Sequence, residues 1–502
     1  MIDAARGPAF AEAWLRFARA PLEELLRPPT DAELEVHVLG SFARVVRDVP
    51  AYGAFLARHG VDPAEVRTMD RFRALPRVTR ASYLDAEPLA LRTRGGMLAA
   101  CDMVAVSSGS TGEPGFWPRT TEDELGIAAR FEQIFHDGFR ADERSTLAVV
   151  CFSLGTWVGG MFTTACCRHV ATKGYPITVV TPGNAPPEIF RVLRGLAPQF
   201  EQVVLLGYPP FLKEVIDQGV LAGIDWASMH LKLVTAGEVF SESFRSLVGA
   251  RAHVADVRTD ILSLYGTADA GVLGCETPLT VAIRRFVAER PALARTLFGD
   301  ARLPTLAQYD PRSRFFEAED GELLFTGMNG VPLVRYAIGD RGGVFTHREL
   351  RDRLAEEGFD VERELGPLGP RARRELPFVY VFGRSHFAVS FFGANVFPET
   401  ISVALEEAAI APHVTGKFVL EVKEGLEDAP VLTLAVELAP SAAASASLAS
   451  VVADAVRAAL LRMNSEFSSY VPAKYQAPVV TLHPAGDAAH FPVGVKHRYT
   501  RR

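Results

Sequence analysis

Cysteine is scarce in this sequence, and none of it forms a CxxC pair. The chain of 502 residues has five cysteines, at Cys101, Cys151, Cys166, Cys167 and Cys275. An odd number in a chain of this size argues against a disulfide framework and predicts a reduced, cytoplasmic compartment. The run Cys166-Cys167-Arg168-His169 is also compatible with a metal or thiol site, but adjacent cysteines rarely ligate one ion together.

Lysine is scarce as well, so a functional lysine has few candidates. Seven are present, at Lys173, Lys213, Lys232, Lys417, Lys423, Lys474 and Lys496. The net charge is -7 at pH 7. Because an acidic surface does not attract nucleic acid or anionic lipid, neither is expected as a partner. Length and a hydrophobic content of 48% predict two or three globular domains with ample core.

Long uncharged stretches are nearly absent too. One exception is Ser145–Cys167, which at about 20 residues is long enough to span a bilayer. Glycines, serines and threonines interrupt it, so the sequence predicts a buried strand, a glycine loop and the start of a helix rather than a membrane span. Residues 1–26 carry charges throughout and look like an amphipathic helix, not a signal peptide.

The chain does contain a run of small hydroxyl residues and glycines directly after the apolar stretch Met103–Val106, which is predicted to be a buried strand end. The run consists of Ser107, Ser108, Gly109, Ser110, Thr111, Gly112, Glu113 and Pro114. Glycines let backbone N–H groups approach a ligand, and consecutive N–H groups form a concave nest for anions. The run therefore suits a polyphosphate, although no Gly-Lys-Ser/Thr of a Walker A loop follows. A plain Ser/Gly turn is the alternative.

The order of patterns along the chain predicts an α/β fold. Residues 1–100 look helical, and strands then alternate with helices to about residue 280, which indicates a layered sheet. The predicted strands are Thr146–Phe152, Ile177–Val180, Gln202–Leu206, Leu231–Thr235, Gly321–Thr326 and Pro377–Phe382. The predicted helices include Pro187–Leu196 and Pro210–Gln218.

The pattern changes near Gly383-Arg384 to a short α+β unit. Its predicted elements are the strands Lys417–Val422, Val431–Glu437 and Val479–Leu482, and the helix Leu448–Met463. We therefore expect two domains, residues 1–382 and residues 383–502.

Several motifs occur together in an order that resembles the adenylate-forming superfamily, and within it the phenylacetate–CoA ligase group. Ser107–Pro114 resembles the phosphate loop, and Ala236-Gly237-Glu238 resembles the adenine-contacting turn. Tyr265–Asp269 resembles the Tyr-Gly-x-Ser/Thr-Glu motif, and Arg335–Asp340 the Arg-Tyr-x-x-x-Asp motif. Further matches are Val49–Tyr52, Leu75–Arg80, Phe152–Gly160, Gly383-Arg384 and Gly393–Pro398. Each motif is weak alone, and their joint order and spacing carry the resemblance.

The resemblance implies that a carboxylate attacks the α-phosphate of ATP, giving acyl-AMP and pyrophosphate. It implies a large multi-layer N-terminal adenylation domain, residues 1–382, and a small mobile α+β C-terminal domain, residues 383–502. Catalysis would then consist of positioning and charge neutralisation. By resemblance, Lys496 is the catalytic cation and Asp269 holds Mg²⁺, which prefers one or two carboxylates plus phosphate oxygens.

The other roles also follow from the resemblance. Asp340 would accept the ribose hydroxyls, and Arg384 would lie near the ribose or phosphates. The nucleotide would further contact Ser107, Ser108, Gly109, Ser110, Thr111, Gly112, Gly237, Glu238, Tyr265, Gly266 and Thr267. The acyl group would contact Phe152, Trp157 and Gly160.

Each of these residues also has a simpler interpretation. Asp269 could be a solvated loop acid, and Asp340 could shape the turn that follows Gly339. Lys496 lies six residues from the C-terminus, where frayed, solvated charge is common. Trp157 could be a packing residue.

The sequence departs from the family pattern at the metal motif and near the predicted domain hinge. Ala268 replaces Ser/Thr, although Thr267 could compensate, and Asp269 is one methylene shorter than the usual Glu. Paired Asp residues are expected after Ser385, but His386-Phe387 stand there. The remaining departures are Leu264, Phe392 and the spacing of Gly494-Val495-Lys496, with Arg498 as the nearest other cation.

These patterns predict an ATP-dependent, AMP-forming ligase of a small aromatic or otherwise apolar carboxylic acid, with CoA as the leading acceptor. Because the C-terminal domain rotates between half-reactions in the superfamily, altered hinge residues put the transfer to CoA in doubt more than adenylation. Two alternatives remain. One is transfer of the acyl group to an amine, or of AMP itself to a cofactor hydroxyl or other acceptor. The other is a degenerate protein that only binds a nucleotide or a partner. The resemblance also makes a homodimer plausible.

Overall fold

The computed structural model describes residues 6–106, 115–156, 158–384, 389–392, 394–424, 430–492, 497 and 499–501. Its helices are α1 (Arg6–Arg19), α2 (Leu22–Leu25), α3 (Asp31–Asp48), α4 (Pro50–Arg58), α5 (Met69–Arg73), α6 (Thr121–Gln133), α7 (Val158–Thr172), α8 (Pro186–Leu196), α9 (Pro209–Leu221), α10 (Glu242–Arg251), α11 (Val257–Asp260), α12 (Pro278–Ala288), α13 (Pro291–Phe298), α14 (His347–Glu356), α15 (Val361–Leu365), α16 (Pro398–Leu405), α17 (Ala446–Met463) and α18 (Ser465–Tyr470).

The strands are β1 (Met103–Val106), β2 (Phe116–Arg119), β3 (Thr146–Val150), β4 (Ile177–Val180), β5 (Gln202–Gly207), β6 (Lys232–Ala236), β7 (Ile261–Thr267), β8 (Gly271–Cys275), β9 (Thr305–Gln308), β10 (Phe315–Glu319), β11 (Glu322–Gly327), β12 (Leu333–Phe345), β13 (Phe378–Arg384), β14 (Val389–Phe391), β15 (Ala394–Val396), β16 (Val414–Glu424), β17 (Pro430–Leu438), β18 (Val479–His483) and β19 (Thr500–Arg501).

A mixed sheet of eleven strands forms the centre of the large α/β part, in the order β10-β11-β12-β13-β9-β8-β7-β6-β5-β3-β4. The strands β4, β3, β5, β6 and β7 pair in parallel. The pairs from β7 through β8, β9, β13, β12 and β11 to β10 are antiparallel. The parallel strands β3 and β5 are buried along their whole length, as expected where helices cover both faces. The alternation of strands and helices in the sequence predicted this α/β fold, and the structure confirms it.

Of the N-terminal helices, α3, α4 and α5 pack against the antiparallel half of this sheet, and α1 packs against α6. Helix α3 begins with a capping box, in which Thr30 and Glu33 satisfy each other's backbone N–H groups. The segment that follows α5 adds one parallel bridge to β12, because the Val78 N–H donates to the Arg335 carbonyl and the Ala337 N–H donates to the Val78 carbonyl. The first hundred residues are therefore joined to the sheet by backbone hydrogen bonds as well as by packing.

A buried ion cluster connects β8 to two helices of the large part. The Glu276 carboxylate is fully buried and accepts from Arg245 of α10 and Arg284 of α12, both at 2.7 Å. Burial acts to raise the pKa of Glu276, but the two guanidinium groups outweigh it and the pKa is lowered. The cluster is thus charged at neutral pH.

The C-terminal part has its own core. Four strands pair in the order β18-β17-β16-β19, and β14 and β15 form a hairpin beside them. Helices α16, α17 and α18 cover this sheet, and the apolar side chains between them form one cluster that includes Phe418, Leu434, Val456 and Leu460. Strand β19, at the end of the chain, pairs in parallel with β16.

Most predicted elements lie where the sequence placed them. Strand β4 has its predicted bounds, and α17 begins two residues before its predicted start. The uncharged stretch Ser145–Cys167 forms β3, a loop and the first part of α7. No helix within the described residues is long and apolar enough to cross a membrane.

The predicted strand Met103–Val106 is present, but it is not a buried strand of the large sheet. It pairs only with β2 as an antiparallel hairpin, and of its four residues only Ala105 is buried. Val104 faces solvent and is 40% exposed. The apolar run therefore belongs to a half-covered hairpin and not to a core strand.

Candidate functional site

Two of the predicted nucleotide contacts meet at the carboxyl end of β7. The Tyr265 hydroxyl donates a hydrogen bond of 2.8 Å to the Asp340 Oδ2 atom on β12. Both side chains are buried, and the Tyr265 ring stacks on Phe316 with centroids 6.4 Å apart. The Asp340 backbone pairs with Arg384, the last residue of β13. The structure therefore brings Tyr265, Asp340 and the Arg384 backbone together, while the Arg384 side chain is not among the described groups.

The turn from β7 to β8 carries the predicted metal motif. A Cβ at Gly266 would lie 2.7 Å from the Gly271 carbonyl oxygen, so the backbone approaches closely there. The Thr267 hydroxyl accepts the Ala270 N–H at 3.2 Å. One lone pair of the Thr267 hydroxyl oxygen thus accepts a hydrogen bond within the turn. The Thr267 hydroxyl proton could be donated to a ligand in place of the hydroxyl that Ala268 lacks.

Asp269 is a buried acid, so its alternative interpretation as a solvated loop acid is wrong. Its side chain belongs to a residue that is 5% exposed, and its Oδ1 atom has no hydrogen-bond partner among the described residues. The buried Arg119 guanidinium fixes the backbone here, donating to the carbonyls of Ala268 and Asp269 at 2.6 and 3.1 Å. Burying a carboxylate oxygen without a partner costs free energy. A bound cation such as Mg²⁺ would supply that partner.

The predicted adenine turn follows β6 and has a steric reason for its glycine. Gly237 has φ of 90°, and a Cβ there would lie 2.8 Å from the Tyr208 ring. Phe152 contacts the same ring edge-on, with centroids 5.0 Å apart. Burial, together with the charge of Glu238, raises the pKa of Tyr208 to about 12. Tyr208 therefore stays neutral and forms an aromatic wall between the adenine turn and the predicted acyl site.

Two of the predicted acyl-site residues have clear packing roles. Phe152 is buried in the core cluster on the α6 and α7 side of the sheet. A Cβ at Gly160 would lie 2.3 Å from the Ser153 carbonyl oxygen, so only glycine lets the first turn of α7 approach β3. The neighbouring Gly159 faces the Tyr208 hydroxyl.

Several predicted residues lie outside the described residues. These are Ser107, Ser108, Gly109, Ser110, Thr111, Gly112, Trp157 and Lys496. The residues that flank the predicted phosphate loop are described: Val106 and Phe116 face each other in the hairpin of β1 and β2. The Val106 N–H donates to the Thr156 carbonyl at 2.9 Å, which places this end of the loop beside the segment before α7.

The C-terminal segment contacts the adenine turn directly. The Tyr499 hydroxyl donates a hydrogen bond of 2.6 Å to the Glu238 Oε2 atom. The Tyr499 ring packs on Phe418, and the His497 Nε2 atom lies 2.6 Å from the Phe418 carbonyl oxygen. Described residues on the C-terminal side of Lys496 therefore reach the turn that carries Gly237 and Glu238.

Further polar contacts join the C-terminal part to the large part. Lys213 of α9 is buried and donates to the Val414 carbonyl at 2.8 Å. Lys417 of β16 pairs with Glu214 at 2.9 Å. The Glu406 carboxyl group contacts the Ser241 hydroxyl at the start of α10. Burial raises the pKa of Glu406 to about 8.

The cysteine and histidine run in α7 does not have the features of a metal or thiol site. Cys166 and Cys167 are buried free thiols, and burial raises the pKa of both. Neutral thiols are poor metal ligands and poor nucleophiles. His169 contacts the Glu124 carboxylate at 3.1 Å instead.

Sequence reasoning missed Tyr208, Arg119 and Tyr499. A tyrosine followed by two prolines after β5 was a usable signal for Tyr208, since the prolines start α9. Tyr499 is an aromatic residue three positions after Lys496, which was a reason to expect an anchored rather than frayed end. Phe392, one of the departures, has φ of 51° and stacks on Tyr475 at 5.0 Å.

No family model and no curated protein sequence matches the chain. Among solved structures, it is similar to 2-hydroxyisobutyryl-CoA ligase in the postadenylation state with an acyl-AMP. The TM-score is 0.63 at 14% identity, over 97% of this chain and 90% of that one. A second structure of that state, with 2-HIB-AMP, gives 0.62 at 14% identity over 98% and 95% of the two chains.

The chain has the fold of the adenylate-forming ligases. The similarity spans nearly the whole length of both chains, so it includes the C-terminal part of this chain. The same ligase in its thioesterification state, with 2-HIB-AMP and CoA, gives a TM-score of 0.51 at 14% identity over 95% and 91% of the two chains.

Proposed function

We propose that this protein is an ATP-dependent, AMP-forming carboxylate ligase. The observation that carries the proposal is the buried Tyr265–Asp340 hydrogen bond of 2.8 Å, which orients a carboxylate at the end of the sheet beside the adenine turn. A carboxylate held in this way suits two vicinal ribose hydroxyls. The contact of Tyr499 with Glu238 adds that the C-terminal segment reaches the same turn.

In the proposed reaction, a carboxylate oxygen of the acid attacks the α-phosphorus of ATP, and the bond to pyrophosphate breaks. The residues of the chain position the reactants: Asp340 accepts from the ribose, the turn at Gly237 contacts the adenine, and Lys496 bridges the carboxylate and the α-phosphate. The predicted phosphate loop would donate N–H groups to the phosphates. Asp269 would hold Mg²⁺, which when bound supplies neutralisation of phosphate charge.

The acid is proposed to be small and aromatic or apolar, as in the phenylacetate–CoA ligase group. Its site would lie where Phe152 and Tyr208 meet edge-on, next to Gly159. Aromatic walls stabilise a flat apolar ligand by offset or edge-on contact. Residues 1–382 and 383–502 are proposed as the large and small domains, in a cytoplasmic enzyme that forms a homodimer.

CoA is proposed as the acyl acceptor, and a non-CoA acceptor is the second candidate. The observation that favours the second is the set of polar contacts between the two parts, in particular buried Lys213 with the Val414 carbonyl. These contacts must break before the small domain can rotate. If they hold the adenylation arrangement, the acyl group would instead be transferred to an amine, or AMP itself to a cofactor hydroxyl or other acceptor, without that rotation.

The experiment incubates the purified chain with Mg-ATP and a pool of aryl and short acyl acids, with and without CoA. Mass spectrometry measures AMP, acyl-AMP and acyl-CoA. Acyl-CoA supports the full proposal, and acyl-AMP that CoA does not consume supports the second candidate. Bound ATP with neither product contradicts the ligase proposal and supports a degenerate nucleotide-binding protein.

A further inference from the structure

Two histidines and an aspartate converge in the small domain, away from the predicted nucleotide site. His483 ends β18, and Asp487 and His490 lie in the loop that follows. The His483 Nδ1 atom lies 2.9 Å from the Asp487 Oδ2 atom, and the His490 Nδ1 atom lies 3.1 Å from it. One ligand atom from each residue lies within 4.8 Å of the other two.

Two further polar atoms of the cluster, one on His483 and one on Asp487, already have partners that would orient metal ligands. The His483 Nε2 atom lies 3.0 Å from the Thr481 hydroxyl oxygen, so an Nε2–H donated there leaves the Nδ1 lone pair directed at Asp487. The Asp487 Oδ1 atom accepts the Ala489 N–H at 3.1 Å, which leaves Oδ2 for a cation. Such outer hydrogen bonds fix the tautomer and direction of metal-binding side chains.

The loop itself is held in place from the core of the small domain. The Gly486 N–H donates at 2.8 Å to the Oε1 atom of Glu437, a residue buried in β17. Phe491, at the end of the loop, is buried against Val419 and Ala435. The three side chains are therefore carried by a loop anchored at both ends.

We propose that His483, Asp487 and His490 form a binding site for one divalent ion of the zinc class. Imidazole nitrogen and carboxylate oxygen bind zinc at about 2.0–2.2 Å, so tetrahedral ligands stand roughly 3.3 Å apart. The distances of 2.9 and 3.1 Å from Oδ2 require only a few tenths of an ångström of expansion. A fourth position is open to water, since the three side chains are between 22% and 26% exposed.

Binding of the ion to the two neutral imidazoles neither releases nor takes up a proton. In the metal-free arrangement each Nδ1–H donates to Asp487. On binding, the proton moves to Nε2 and the Nδ1 lone pair coordinates the ion, so the charge of each ring does not change. For His483, the Thr481 hydroxyl accepts the new Nε2–H.

The site also lies close to the C-terminal segment that carries Lys496. The His483 ring packs on Phe491 with centroids 6.1 Å apart, and Phe491 packs on His497 at 5.5 Å. A bound ion would fix the position of the loop that leads into this segment. We therefore expect zinc to slow amide hydrogen exchange over residues 483–492.

The test measures zinc content of the full chain after treatment with a chelator and dialysis against Zn²⁺ alone. We expect one tightly bound equivalent in the unchanged protein, and visible d–d absorption after exchange with Co²⁺. The double variant His483→Ala/His490→Ala should bind more than about 100-fold more weakly, because it loses two ligands. Thr481→Val keeps the shape and should weaken binding about 10-fold, the loss typical of an outer partner.

The matched control is His413→Ala, an exposed histidine elsewhere in the small domain, which should keep full binding. Zinc content reports on this site whether or not the chain activates an acid, so the result does not depend on the proposed function. The proposal is overturned if the unchanged chain retains no zinc. It is also overturned if the double variant retains as much zinc as the unchanged chain, because the ion would then lie elsewhere.

Discussion

Removing one hydroxyl group should show whether the contact of the C-terminal segment with the adenine turn matters for adenylation. Tyr499→Phe deletes the donor of the 2.6 Å hydrogen bond to Glu238. The ring can keep its contacts with Phe418 and His497, at 4.8 and 4.6 Å between centroids. The C-terminal part should therefore fold normally. The substitution should remove only one hydrogen bond between the C-terminal part and the large part.

The expected loss in the rate of acyl-AMP formation follows from the strength of this hydrogen bond. A hydrogen bond to a charged group contributes about 1.5–3 kcal/mol, and Glu238 is only half-buried, which favours the lower end. Since about 1.4 kcal/mol corresponds to a factor of ten in rate, acyl-AMP formation should fall about 10-fold. The assay is pyrophosphate release with the best acid of the panel, with ATP and the acid saturating.

The matched control is Tyr470→Phe, because Tyr470 is an exposed tyrosine of the same domain. It should keep the rate of the unchanged protein. Equal rates for Tyr499→Phe and Tyr470→Phe, with both proteins folded by circular dichroism, would refute the view that this contact supports the adenylation arrangement.

Lys496→Ala should nearly abolish acyl-AMP formation while leaving the melting temperature unchanged, as measured by pyrophosphate release and calorimetry. Asp269→Asn should weaken Mg²⁺ dependence, seen as a higher Mg²⁺ concentration for half-maximal rate, because the unpaired carboxylate oxygen is replaced. Glu406→Gln should remove the pH dependence of domain closure, measured by energy transfer between dyes on the two parts. Since the pKa of Glu406 is raised to about 8, closure is strongest below an ordinary carboxyl pKa and weakens as pH rises to 8. Glu276→Gln should lower the free energy of unfolding by about 3 kcal/mol in urea denaturation, because it removes one of the two buried carboxylates that face Arg245 and Arg284 and leaves Glu242 as their acidic partner among the described residues.

Each of these has an outcome that contradicts it. Lys474→Ala, at an exposed lysine, is the control for Lys496→Ala, and equal activity of the two would remove Lys496 from the mechanism. An unchanged Mg²⁺ curve would exclude Asp269 as a ligand. A pH profile that survives Glu406→Gln would assign the titration to another group. For Glu276, the lowered pKa also predicts that its contribution to stability is lost as pH falls below the ordinary carboxyl range.

The parallel strands were predictable because their burial on both faces leaves a short, apolar and β-branched run in the sequence. Strand β4 is the clearest case, with the same bounds in sequence and structure. The hairpin of β1 and β2 was harder, since an apolar run of four residues reads the same whether it is buried or half-covered. Strand β6 begins and ends one residue later than predicted, at Lys232–Ala236 instead of Leu231–Thr235.

The site is built from residues far apart in the chain, and periodicity says nothing about such pairs. Tyr265 and Asp340 are 75 positions apart, and Glu238 and Tyr499 are 261 apart. The first pair was foreseen only as two roles in a resemblance, and the second was not foreseen. Asp269 is buried in its turn, and Arg119, 150 positions away in the chain, donates to its backbone carbonyl; no local pattern connects these two residues.

Strand β13 has a consequence for how the chain folds during synthesis. It is the one described strand that pairs with both β12 and β9, and so it joins the meander of β10, β11 and β12 to the rest of the large sheet. It is also the last strand of that sheet to leave the ribosome. Until residue 384 has emerged, β9 presents an open edge, which is a template for wrong pairing with other chains. A stalled or truncated product that ends before Phe378 should therefore aggregate, even though most of the large domain has already been made.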